Sequence, residues 1–576
     1  MPTIKPKYVE KSAIFEGFSG IGKAKKSNLL PCDELQNFRI RADGALEKRC
    51  GFTAQHTFDG VVRGFWEGIL NGQPARFIAA GNKIYVQKDG PPQETLTLST
   101  TTGEVCFFFY RSSLYLLDGT EIYRYRESEA RFFAVEPYVP LLGKNWSPTS
   151  LGDYHEPPNL LTKRIRLSYK NLDGALVFEL PYAAESLDSV LADGKEITDY
   201  VFTSGSRRVT MPKIFSWVEI GMTTLYLEGM PGDIKKCSRV YCDRVQGMER
   251  LFLYGGPDST YLFGSTQVTD HMLASCQTAY PNVDSLYFTD EMMLALGNST
   301  HPITALFPNH DRLLAFHDLG AEAISLIDAN DGNYLSTTLS SYPVLRGYGC
   351  TAPLPFVERD GKTVLINRGG IYLLSSKAAD PDTFELSLIP HDVDDLKTQS
   401  FAEHATVFYD APHDEYWFYD VKNGSRVWVY QVSEKNWYSF TGFSPSFFLT
   451  SEGLSGFAEG NRSFLFEDSQ MTDNGVPIQA SFKSDVLDFD SPDLVKRALR
   501  FSLVAACYGT TLEMKLADED QTGSFVWTAA KPNENGLPLY MERRVGFGRF
   551  RMVKFMLTDN GTARTTIHRL ALFANS

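Results

Sequence analysis

The chain contains no run of about 18 consecutive apolar residues, so no membrane-spanning helix is expected from it. Its first residues, MPTIKPKYVEKSAIF, lack the apolar stretch of about 7–15 residues found in a secretion signal. Synthesis and work without export through that route is the expectation. Cysteine is sparse: Cys32, Cys50, Cys106, Cys237, Cys242, Cys276, Cys350 and Cys507 are scattered over 576 residues. Secreted scaffolds instead concentrate cysteines to staple a poor core, so reduced and buried thiols fit better. Cys237 and Cys242 have nearly the spacing of a ligand pair, but no second Cys or His pair lies near enough to complete a zinc site. Basic charge is also short, with 56 Lys and Arg against 70 Asp and Glu, a net −14. A protein that grips nucleic acid needs a basic footprint to displace counterions from phosphates. The chain as a whole has none.

Catalytic motifs are missing too. Gly17-Phe-Ser-Gly-Ile-Gly22-Lys23-Ala24 nearly spells a phosphate-binding loop, but Ala24 stands where a magnesium-binding hydroxyl is required. Four His-Asp dipeptides, beginning at His310, His317, His391 and His413, lie in or beside hairpin turns, where such pairs are ordinary loop chemistry. Glu322, Asp414, Glu415 and Asp420 are the carboxylates best placed at hairpin ends for a glycosidase pair, yet nothing sets them apart from many others. Neither a G-x-S-x-G elbow nor a sialidase-type Asp-box occurs. No catalytic residue, metal or cofactor is expected.

Aromatic side chains are plentiful: 40 Phe, 28 Tyr and 7 Trp. They suit half-buried strands. A repeated pattern of strand, Gly-containing turn and aromatic strand recurs around Gly81, Gly119, Gly256, Gly320, Gly370, Gly424 and Gly460. Successive turns are 38, 137, 64, 50, 54 and 36 residues apart. Most of these spacings approach the ~40–50 residues of a four-stranded propeller blade. The long gap holds six further strand-like pieces behind the loop NWSPTSLGDYHEPPN, and the last hundred residues alternate as strands again. The expected fold is all-β, a six- or seven-bladed β-propeller over 51–144 and 246–470. A β-sandwich is inserted at 145–245, and a jelly-roll-like sandwich closes the chain at 471–576.

Residues 1–50 form an N-terminal arm with ten basic and six acidic residues, +4 on an acidic chain. Lys23, Lys25, Lys26, Arg39, Arg41 and Arg49 are its candidate assembly residues, expected to order on an acidic neighbour. Within the arm, Asn37, Gly44, Leu46, Arg49 and Gly51 fall on an Asn…Gly-x-Leu-x-x-Arg-x-Gly pattern. That pattern resembles the N-terminus of the tail hub or nozzle proteins of short-tailed bacteriophages, also called packaged-DNA stabilisation proteins. Pro302–Leu306, Asp311–Phe316, Gly347–Pro353 and Val364–Leu373 are similar to mid-propeller strands of that family, and the stretch from Phe489 to Arg497 to domains ending many phage tail proteins. The resemblance implies a structural protein of the virion tail, made in the bacterial host's cytoplasm. It implies a ring, usually of six copies, beneath portal and adaptor proteins. Such a ring retains the genome, supports tail fibres or spikes, and passes double-stranded DNA without sequence-specific binding. The rival readings are a carbohydrate-active propeller, either glycosidase or depolymerase, and a cellular propeller scaffold.

Overall fold

A computed structural model describes residues 10–22, 28–88, 90–225, 234–245, 248–296, 301–309, 312–330, 335–353, 358–377, 380–489, 492–507, 512–517, 538–544 and 549–575. Among them no helix is long and apolar enough to cross a membrane. Seven antiparallel groups of strands follow one another, over 62–97, 106–134, 239–295, 305–346, 358–388, 405–440 and 447–467; the first five are four-stranded sheets, the sixth is part of a nine-stranded sheet and the seventh of a six-stranded one. The last takes its fourth strand, Gly51–Thr57, from near the N-terminus. The fold is a seven-bladed β-propeller. Each of the seven repeated turns read from the sequence joins the second and third strands of one blade. Continuous burial marks the blade interiors: every residue of Glu415–Asp420, Val427–Gln431 and Asn436–Phe440 is buried, as in strands covered on both faces.

The chain divides into two compact units, Met1–Val62 with Thr351–Ser375 and Glu385–Ser576, and Arg63–Cys350 with Ser376–Phe384. The second unit holds the insert. Its five-stranded sheet runs Leu141–Trp146, Arg164–Lys170, Trp217–Thr224, Ala184–Ala192, Lys195–Glu196, beside a small two-stranded sheet of Val177–Glu179 and Arg208–Thr210. These enclose their own core around Tyr169, Phe178, Val218 and Ile220. The insert therefore opens at 141, inside the span assigned to the propeller. Its far boundary is also earlier than 245, because Arg239–Val245 pairs with Met248–Tyr254 as a blade strand.

In the first unit the closing sandwich is not built from 471–576 alone. Glu10–Phe15 pairs with residues 570–575 of the strand Thr565–Asn575, and Leu29–Gln36 pairs with Ala480–Ser484. Phe15, Phe18, Leu30, Leu35 and Phe38 are buried in one core with Phe482, Phe501, Phe555 and Leu572. Over these residues the segment expected to order as an arm on a neighbour is instead packed into the chain's own core. Alternating apolar side chains in the N-terminal strands have a hydrophobic face to bury, and the C-terminal strands supply the other half.

Candidate functional site

Asn37 and Arg49 share one buried network, and Gly51 packs beside it. Asn37 sits at φ 56°, a left-handed conformation that asparagine tolerates. Its amide donates to the Thr441 hydroxyl (2.9 Å) and the Gln479 carbonyl (2.7 Å), and its Oδ1 accepts from Thr441 N and Arg49 Nε (both 2.9 Å). Arg49 then donates to the Cys50 carbonyl (2.9 Å), the Thr441 carbonyl (2.7 Å) and both oxygens of Asp473 (2.8 and 2.5 Å). A guanidinium has five N–H donors, and all five are used. Burial lifts the Asp473 carboxyl above its usual range although Arg49 pulls the other way. Gly51 lies so close to the next segment that a Cβ there would stand 2.0 Å from the Thr472 carbonyl oxygen. Leu46 is fully buried, and the Gly44 carbonyl accepts from Phe18 N at 2.9 Å.

A second network surrounds Arg39. Its Nε donates to Glu415 (2.9 Å), and its Nη2 stands 3.6 Å from Asp410. Glu415 also accepts from Tyr438 (2.6 Å) and Trp417 (2.8 Å). Asp410 accepts from Ser455 and holds His413 Nδ1 at 2.6 Å. Burial would raise the Asp410 carboxyl, but His413, Arg39 and Ser455 together hold it below its usual range. Burial and the Glu415 charge push the Tyr438 phenol well up. Nearby, fully buried Lys48 donates to Asp559 (2.9 Å) and the Gly561 carbonyl (2.6 Å).

Asp410, His413 and Glu415 place one ligand atom each within 4.8 Å of the others. The donor set does not suit a cation, because both Glu415 oxygens are engaged and the Arg39 charge already occupies the gap. Arg39, Lys48, Cys50, His413, Asp468 and Arg564 line a pocket with only about 30 Å³ of room for water. His413 thus pairs with the aspartate three positions back and not with Asp414 beside it.

The carboxylates considered for hydrolysis are each tied into structure. Asp414 binds Arg359 (2.6 Å) and Tyr409 (2.8 Å), Asp420 accepts from the backbone of Lys422 and Asn423, and Glu322 accepts from Ser341. The first five residues of the near-phosphate loop form the strand Gly17–Ile21, where a Cβ on Gly20 would stand 2.7 Å from Trp437 N; Lys23 and Ala24 lie outside the described residues. Of the candidate assembly residues, Lys23, Lys25 and Lys26 lie outside the described residues. Arg41 is exposed beside Asp43. Arg39 and Arg49 are a correction: both are buried in ion pairs within the chain and cannot reach a neighbour. Sequence gave no sign of this, because their acidic partners lie 376 and 424 residues away. Cys32, Cys50, Cys106, Cys237, Cys242, Cys276 and Cys350 are not in disulfides, and burial pushes Cys106, Cys237 and Cys242 up to about 12, leaving little thiolate for chemistry.

No model of a known protein family matches the sequence, and no curated protein matches it either. Solved structures do align. The chain is similar to BBS1N in a complex with ARL6DN, at 9% identity over 73% of this chain and 98% of that one, TM-score 0.23. It is similar to a glycoside hydrolase family 43 arabinoxylan arabinofuranohydrolase from Bacillus subtilis, at 12% identity over 75% and 95%, TM-score 0.18. Kluyveromyces lactis Hsv2 aligns at 8% identity over 66% and 97%, TM-score 0.23. Scores this low decide nothing about activity.

Proposed function

We propose that this chain is a structural tail protein of a short-tailed bacteriophage, a hub or nozzle subunit that assembles with copies of itself into a ring. The observation behind this reading is the buried network and its surroundings. Asn37, Gly44, Leu46, Arg49 and Gly51, the residues shared with that family's pattern, fix backbone and fill core. Residues that do such work fit a building block better than an enzyme. The acids a glycosidase reading requires are engaged by Arg359, Ser341 and the backbone, and no observation favours that reading. In the proposed ring an acidic chain of net −14 would make a poorly adhesive wall for passing DNA. Portal or adaptor proteins would sit above, and fibres or spikes would attach outside. Imaging the purified protein alone and mixed with portal and adaptor proteins tests the reading. Closed rings that dock on the portal are expected. A persistent monomer that cleaves polysaccharide overturns it.

A further inference from the structure

The outer face of the seven-stranded sheet of the first unit, in which Lys496–Cys507 pairs with Thr565–Asn575 and Leu539–Arg544, holds more arginines than carboxylates to pair them. Residues directly opposite on antiparallel strands share a face. Arg500 of Lys496–Cys507 lies opposite Arg544, and Arg497 lies opposite Arg549. Further along, Val504 has Arg569 opposite it on one side and Tyr540 on the other. Arg497, Arg544, Arg549 and Arg569 are exposed and Arg500 is 41% exposed, while Phe501, Leu503 and Leu572 on the other face line the core. Among the described residues these rows contain two carboxylates: Glu542, which accepts from Tyr540 (2.6 Å) and lies 3.4 Å from Arg500, and Glu10, which lies opposite Asn575 in the row of Arg497. Like charges set opposite one another destabilise a ladder. The arrangement weakens the sheet, and an acidic partner would relieve it.

We propose that this face docks on an acidic surface of a second copy of the chain, as one half of a head-to-tail contact. The inference rests on the ring reading above. Five arginines with Tyr540 and Phe573, and no lysine in the same rows, match the composition of protein interfaces, which favour Arg and aromatics over Lys. Complementary charge is available on the chain itself: 13 basic and 12 acidic residues in 471–576 leave −15 on residues 1–470. Within the same unit, Asp392 and Asp394 stand 84% and 99% exposed and share a single cation, Lys397. A basic face and a separate acidic turn give two unlike patches, which is what a head-to-tail ring contact needs.

Native mass spectrometry and sedimentation of the full chain test this at about 50 and 500 mM salt, where screening of exposed charges differs strongly. Arg497→Glu with Arg549→Glu should weaken association at least tenfold without lowering the melting temperature. Asp392→Lys with Asp394→Lys should weaken it similarly, and combining all four changes should restore most of it. Association of the double arginine variant at wild-type strength, with wild-type salt dependence, overturns the proposal while leaving a ring intact. So does loss of binding to a short DNA duplex with self-association untouched, which would make the face a nucleic-acid surface. A wild type that never associates removes both this contact and the ring reading.

Discussion

Arg49 shows how much one side chain holds. Its five donors connect the N-terminal strands to Thr441 in the sixth blade and to Asp473 beyond the last. Removing one member of a buried pair strands the other charge. Arg49→Met should therefore cost about 3–5 kcal/mol in urea unfolding, and adding Asp473→Leu should recover a good part of it. An equal loss in single and double variants would show that the pair is not the source. Asp410 carries a pH signature. Its folded carboxyl lies below the ordinary 3.8, so the unfolded chain binds its proton first as pH falls. The stability it contributes is present above that value and is lost as pH drops through the lower folded one. Asp410→Asn should flatten that part of the acid limb, read as a smaller gap between variants at pH 3 than at pH 6. These roles were not legible in the sequence. Nothing local distinguishes Arg39 or Arg49 from the exposed Arg41, because burial is decided by acids that only the fold brings near.

The elements were far more legible, and the reason is periodicity. A glycine turn between two aromatic strands is a local signal, and all seven such turns fall in blades. Boundaries were less so. Leu141–Trp146 reads like any blade strand, and only its parallel pairing with Arg164–Lys170 assigns it to the insert. Nor could spacing reveal that the first strands complete the last domain, since Glu10–Phe15 and Thr565–Asn575 lie at opposite ends. Two outcomes follow at this scale. Arg164 lies directly opposite Thr223, so a short Gly-Ser linker can replace 165–222 without stretching the chain. The shortened protein should stay soluble with strand-type circular dichroism, because the removed core around Phe178 and Ile220 is separate from the blade cores. Aggregation alone would refute the independence of the insert. Gly51→Ala should fail to fold or melt far lower, since its Cβ meets backbone that cannot step aside, whereas Gly475→Ala meets no atom but must hold φ 89°, and should cost only about 1–2 kcal/mol.

At the scale of the whole molecule, the proposal of assembly draws on the acidic balance and on the arginine-rich outer face of the seven-stranded sheet. Lys23, Lys25 and Lys26 belong to this scale as well. Replacing all three with Glu should slow ring formation while leaving the monomer's melting temperature nearly unchanged, measured by native mass spectrometry alongside calorimetry. The most direct measurement is electron microscopy of the purified full chain across a concentration and salt series. Closed rings of identical subunits, fewer at high salt, are the expected result. A monomer at every concentration, active on a polysaccharide, would contradict the account.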